Sequence, residues 1–205
     1  MSISGRTPAA PASGGTLVSW ETPVSWALRV WLAVEVGFGL AAILAIYLYP
    51  EETETNFAWT IVPPVTAAVM GAFYAATGVM LVASLFVRSW ERVRVIILPS
   101  LVFTTLELAV TLVHWDRFKL GTTPFYVWFA SYLLPPPIFA FLYWWQQRRA
   151  SSVRVGITEP LPDWVRRLFL ANGVALVALF GLTLVAPQLF IAAAPWMFTP
   201  LTARA

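Results

Sequence analysis

The chain has 205 residues, of which 59% are hydrophobic and 11% charged, with a formal charge of +3. A soluble domain carries about 25% charged residues, so a soluble core-and-shell protein is excluded. The absence of Cys excludes disulfides, thiolate metal sites and thiol catalysis, and a single His leaves no pair for haem ligation. The positive charge sits on Arg at the edges of apolar stretches, a membrane-edge pattern rather than a nucleic-acid surface.

Residues 1–19 are rich in Ser, Gly, Pro and Ala, a composition with nothing to bury; it predicts a disordered cytoplasmic tail. The tail has one Arg and no apolar run, so it does not read as a signal peptide. From residue 20 to 205 the pattern predicts one all-α, polytopic transmembrane helix bundle. Its five spans lie at about 24–49, 63–87, 93–115, 124–145 and 165–190, each long enough to cross about 30 Å of hydrocarbon.

The first span opens with Thr22-Pro23, which reads as an N-cap followed by Pro at the first helical position. It carries a ladder of small residues, Ala33, Gly37, Ala41 and Ala45, and an isolated carboxylate, Glu35. The second span follows Trp59 and Pro63-Pro64 and repeats the ladder with Ala67, Gly71 and Ala75. Such ladders let membrane helices approach closely, here within one chain or between copies.

The third span holds the chain's most informative pattern. Ser100, Thr104, Glu107, Thr111 and His114 are spaced four, three, four and three apart, one stripe of one helix, amid Leu, Val, Phe and Ile. A carboxylate and an imidazole at membrane depth face protein or water rather than lipid. Glu107 lies about 18 Å up this helix from Val95, and Glu35 about 12 Å up the first, depths at which the two carboxyls can meet. Two carboxylates in low dielectric share a proton or hold a cation, so the stripe reads as a relay through Thr111 to His114. The competing reading is structural: a protonated Glu hydrogen-bonded to a neighbouring helix, with Arg29 as another partner for Glu35. His114-Trp115-Asp116-Arg117-Phe118 closes the span. Asp116 there pairs with Arg117 rather than with His114, since residues two apart do not face each other on a helix.

The fourth span contains Pro135-Pro136-Pro137, which removes backbone donors and predicts a kink or break near Pro135. The loop after it, with Arg148, Arg149, Arg154, Arg166 and Arg167, signals topology or holds anionic lipid headgroups at about 1 kcal/mol per cation. The fifth span begins at Asp163 after Pro162. Ten basic residues fall on the side of Arg6, Arg29, Arg88 and this loop, and three on the side of Arg117, Lys119 and Arg204. By the positive-inside rule the N-terminus is cytoplasmic and the C-terminus outside, in the cell membrane. Nine Trp near span ends, from Trp20 and Trp26 to Trp164 and Trp196, read as an aromatic belt.

An internal echo links Trp59 to Ala67 with Trp196 to Arg204, each reading Trp, Pro, an aliphatic residue and Thr, with a weaker echo at Trp128 and Pro135. It suggests a helical hairpin used three times, with the chain ending where a sixth span would start. The His114 to Phe118 and Trp196 to Arg204 segments resemble those of bacterial multi-pass membrane proteins that carry His-x-Asp-Arg-Phe and Trp-x-x-Thr-Pro-Leu-Thr-Ala-Arg. That resemblance implies six spans and adds no biochemical activity. A likeness to the tryptophan-rich sensory proteins is one of topology alone.

No Gly-rich phosphate loop, zinc-protease motif or nucleophile elbow is present, and no cofactor is expected. Glu107 and His114 are two turns apart, about 10 Å, too far to share one metal ion without further ligands. Two functional readings stand. One is a structural or accessory membrane subunit, associating with itself or with other membrane subunits. The other is a small transporter or channel-like protein moving protons, cations or a small solute along the stripe. An intramembrane enzyme ranks below both.

Overall fold

A computed structural model describes residues 22–150, 162–193, 199 and 201. The expectations for the N-terminal tail, Arg154 and most of the Trp196 to Arg204 segment fall outside those residues. Among the described residues every regular element is a helix. α1 (Trp26–Ala42) runs on as a π-helical turn, Ile43–Leu48. The short α2 (Thr53–Asn56) precedes α3 (Pro64–Phe86) and α4 (Trp90–Val113). Then come α5 (Thr123–Leu133), α6 (Pro135–Ala150), α7 (Asp163–Val185) and the short α8 (Pro187–Ala193). Five stretches are long and apolar enough to cross a membrane: Trp26–Leu48, Pro64–Phe86, Trp90–Val113, Thr123–Ala150 and Asp163–Thr183.

Local sequence explains most helix ends. The N-cap of α1 is Ser25, whose hydroxyl accepts from the Leu28 amide at 3.4 Å, and not Thr22 as the Thr22-Pro23 pair predicts. Thr22 to Val24 instead lie extended beside the α3–α4 connection: the Val24 amide donates to the Arg88 carbonyl at 3.0 Å and the Trp90 amide to the Thr22 carbonyl at 2.9 Å. α7 begins at Asp163, as read from the sequence, and α3 at Pro64, within one residue of the expected span of about 63–87. The fourth span breaks at Leu134. The three prolines fill the first turn of α6, where an amide hydrogen would find no helical partner, and the Leu134 amide still reaches the Ala130 carbonyl at 3.1 Å.

α1 packs on α3, and α4 packs on α5 and α6. Gly71 of α3 lies against the π-helical turn, where an added Cβ would sit 2.6 Å from the Cβ of Tyr47. The second-span ladder therefore serves close packing inside this chain, whereas Ala33 and Gly37 of the first-span ladder are exposed. Two apolar clusters close the ends of the bundle. At the end where α1 and α4 begin, Leu28, Leu32, Trp90, Val93, Ile97, Phe139 and Leu142 pack together. At the opposite end Ile46, Phe57, Trp59, Phe118, Phe125, Trp128 and Leu201 do so. Trp59, Trp90 and Trp128 are thus core residues, and only some Trp, such as Trp26, Trp144 and Trp164, are exposed in the way a belt requires.

α7 stands apart from this packing: none of the residues from Asp163 to Leu182 is buried. Its apolar side chains, from Trp164 to Leu182, face outward all round. Four spans therefore build the interior.

Candidate functional site

Between the two apolar clusters a half-open hollow lies among α1, α3, α4 and α5. A cavity of about 350 Å³ is lined from α1 by Glu35 and Phe38, from α3 by Tyr74 and Thr77, from α4 by Ser100 and Thr104, and from α5 by Trp128 and Tyr132. A second cavity of about 210 Å³ shares Phe38, Ala42, Trp128 and Ser131 with the first and continues past Ala45 and Asn56. Together they follow the seam between α1 and α5, from mid-bundle to the end opposite the Arg-rich one.

Glu35 is at the wall of the larger cavity. It is 8% exposed, and its Oε1 is buried with no hydrogen-bond partner. Arg29 does not neutralise it, because the guanidinium donates to the carbonyls of Leu85 and Val87 at the C-terminus of α3. Glu107 is 4% exposed, and its Oε2 also lacks a partner. It does not line the cavity.

The two carboxyls are offset rather than level. The bonds between Thr22–Val24 and Arg88–Trp90 bring the starts of α1 and α4 to the same height. Counting from Trp26 and Trp90 at about 1.5 Å per residue, Glu107 stands roughly 12 Å further along the bundle than Glu35. The counted depths of about 18 and 12 Å, close enough to meet, take Val95 as the start of the third span, whereas α4 begins at Trp90. The Tyr74 and Tyr132 hydroxyls are hydrogen-bonded to each other, joining α3 to α5.

The polar stripe of α4 divides. Thr104, Glu107 and Thr111 are buried, Ser100 is half-buried at the cavity wall, and His114 is the half-buried C-cap, its backbone out of the helical region. The stripe's hydroxyls donate back along their own helix: Ser100 to the Ile96 carbonyl at 2.9 Å, Thr104 to Ser100 at 2.9 Å and Thr111 to Glu107 at 2.8 Å. Thr111 also accepts from the Trp128 indole N–H at 3.0 Å. Its proton thus faces the Glu107 backbone rather than the carboxyl. Asp116 pairs with Arg117 at 3.2 Å, both exposed.

At the Arg-rich end, Arg148 and Arg149 stack on the rings of Trp144 and Trp145 at 4.0 and 3.7 Å, and Arg166 and Arg167 are exposed at the start of α7. At the other end the Lys119 ammonium donates to the carbonyls of Thr53, Glu54 and Phe57, tying the segment before α3 to the one after α4. Burial holds Lys119 below the usual lysine range, partly offset by the charge of Glu54.

Tyr74, Thr77, Trp128, Ser131 and Tyr132 belong to the site but lie outside the stripe that marked it in the sequence. Their signal was present: Trp128 and Tyr132 are four apart, Tyr74 and Thr77 three apart, each an aromatic with a polar tip or a hydroxyl at helical spacing in an apolar span. Among the described residues no three His, Cys, Asp or Glu side chains gather as a metal ion requires. No family model matches the chain, and neither a curated protein nor a solved structure does.

Proposed function

We propose that this membrane protein admits a small solute into its interior and passes it along the α1–α5 seam, a transporter or channel-like activity. The observation that carries this reading is Glu35: a buried carboxyl oxygen without a partner on the wall of a 350 Å³ cavity that abuts a second one. A carboxyl retained there only as a structural contact would meet a donor on a neighbouring helix. Instead the nearest arginine on its helix turns to backbone carbonyls, and the space beside the carboxyl is large enough for a ligand. The Arg distribution supports a cytoplasmic N-terminus in the cell membrane, with the second cavity leading outward.

The test is flux. Purified protein in liposomes with an internal pH dye is expected to dissipate an imposed proton or cation gradient faster than empty vesicles, and Glu35→Gln is expected to abolish the difference. Equal flux in wild type, variant and empty vesicles removes the reading.

A second reading, an accessory subunit that self-associates, is favoured by α7. Asn172 is exposed on that helix, beside Ala171 and Ala175. A membrane amide is satisfied by another amide, and Asn172 of a second copy supplies one. Cross-linking between Cys introduced near Asn172, lost in Asn172→Leu, is the expected result; monomers throughout exclude it.

A further inference from the structure

The walls of the larger cavity specify the charge of what enters it. This deepens the proposal above and rests on the cavity being a solute site. Four Ser and Thr hydroxyls line the cavity, and all four donate their proton to a carbonyl of their own helix. Thr77 donates to Phe73 at 3.0 Å, Ser100 to Ile96 at 2.9 Å, Thr104 to Ser100 at 2.9 Å and Ser131 to Trp128 at 2.7 Å. The Trp128 indole N–H is taken by Thr111 at 3.0 Å, and the Tyr74 and Tyr132 hydroxyls engage each other. That bond uses one of the two tyrosine protons; apart from the other, what remains on the wall is acceptor capacity: the hydroxyl lone pairs and the Glu35 carboxyl. Pro99, also on the wall, has no N–H to offer the carbonyl of Val95 one turn below, another wall residue.

The remaining surface is apolar and aromatic, with Phe38, Phe103, Trp128, Tyr74 and Tyr132 around the carboxyl, and no Arg, Lys or His is on the wall. Aromatic faces carry negative electrostatic potential and attract cations. An anion would meet a carboxyl and lone pairs. A carbonyl compound would find every Ser, Thr and Trp donor engaged, with one tyrosine proton left to meet it. We infer that the cavity binds an organic cation, an ammonium or similar charge on an apolar body, with Glu35 as its counter-charge and the aromatic rings as its cage. Phe38, Trp128 and Ser131, shared by both cavities, then form the step between the binding chamber and the outer passage.

Three probes of one shape test this: phenyltrimethylammonium, its neutral isostere tert-butylbenzene, and the anion benzenesulfonate. Binding to the full chain in nanodiscs is read by quenching of Trp fluorescence and by calorimetry. The cation is expected to saturate and to bind about tenfold or more tightly than the neutral isostere, and the anion not to bind. Glu35→Gln is expected to weaken the cation about tenfold and leave the neutral probe unchanged, while Glu35→Asp keeps the preference. Gly39 lines the cavity, and an added Cβ there meets nothing within 4 Å, so Gly39→Leu extends a side chain from the cavity wall and should remove binding of both cation and neutral probe. Equal affinity for cation and neutral isostere, unaffected by Glu35→Gln but lost in Gly39→Leu, overturns the cation assignment and leaves the solute chamber standing. Saturable binding of none of the three, or binding that survives Gly39→Leu, overturns both.

Discussion

The hydroxyls of Tyr74 and Tyr132 meet inside the bundle, joining α3 to α5. Each tyrosine lines the larger cavity, so the pair is both a strut between helices and part of the chamber wall. A double-mutant cycle with Tyr74→Phe and Tyr132→Phe should give a coupling of about 0.6–1.7 kcal/mol, the range for hydrogen bonds between membrane helices. Reversible unfolding in mixed micelles measures it; additive single effects would show that the pair contributes no coupling.

Trp128 and Thr111 make a second inter-helix bond, fully buried. Thr111→Val keeps the shape and strands the indole N–H, which should destabilise the bundle by about 1–3 kcal/mol. Thr111→Ser retains the hydroxyl and should cost less. Thermal unfolding followed by Trp fluorescence separates the two, and an equal loss for Ser and Val would assign the effect to packing instead.

Gly71 is set by close approach, since its backbone lies against Tyr47. Gly71→Ala should therefore lower stability by about 1–3 kcal/mol through overpacking. Gly78→Ala is the control on the same helix: its added Cβ would meet only the Ile43 side chain at 3.8 Å, an ordinary contact. A Gly71→Ala protein as stable as Gly78→Ala would show that α3 and the π-helical turn are not pressed together.

Lys119 fastens the loop before α3 through three carbonyls. Lys119→Met should speed hydrogen exchange in the 53–61 segment and leave the cores of α3 and α4 protected. The pH dependence has a definite sign. Burial lowers the folded-state pKa below 10.5, so the native protein releases this proton before the unfolded chain does. The contribution of this group to stability is present above 10.5 and lost as pH falls through the lowered value. Wild type should gain on Lys119→Met as pH rises toward 10.5, and the opposite slope would reverse the assignment.

Part of the site was readable in the sequence. Thr104, Glu107 and Thr111 do turn inward together, because a buried stripe at helical spacing has one face to occupy. Glu35 could be singled out as the lone carboxylate of its span, and the break at Leu134 followed from three consecutive prolines. The level of Glu35 against Glu107 was not readable. It depends on where α4 starts, and that start is set by hydrogen bonds to Thr22 and Val24, residues more than sixty positions away. Nor could spacing reveal that Trp59 and Trp90 are core rather than belt, since either fate suits a Trp near a span end.

From the sequence alone came the helices themselves, their number, their membrane character and the identity of the two carboxyls that must avoid lipid. All of these are properties of one helix at a time, governed by how much apolar side chain is strung along a fixed rise. The hollow between the two apolar clusters, the tyrosine bridge, the turning of the wall's Ser and Thr hydroxyls onto their own backbone and the isolation of α7 were decided only in three dimensions. They depend on how far each helix slides and rotates against its neighbours. Contacts such as Gly71 on Tyr47, and Thr22 beside Trp90, determine that movement, and no hydropathy pattern encodes it.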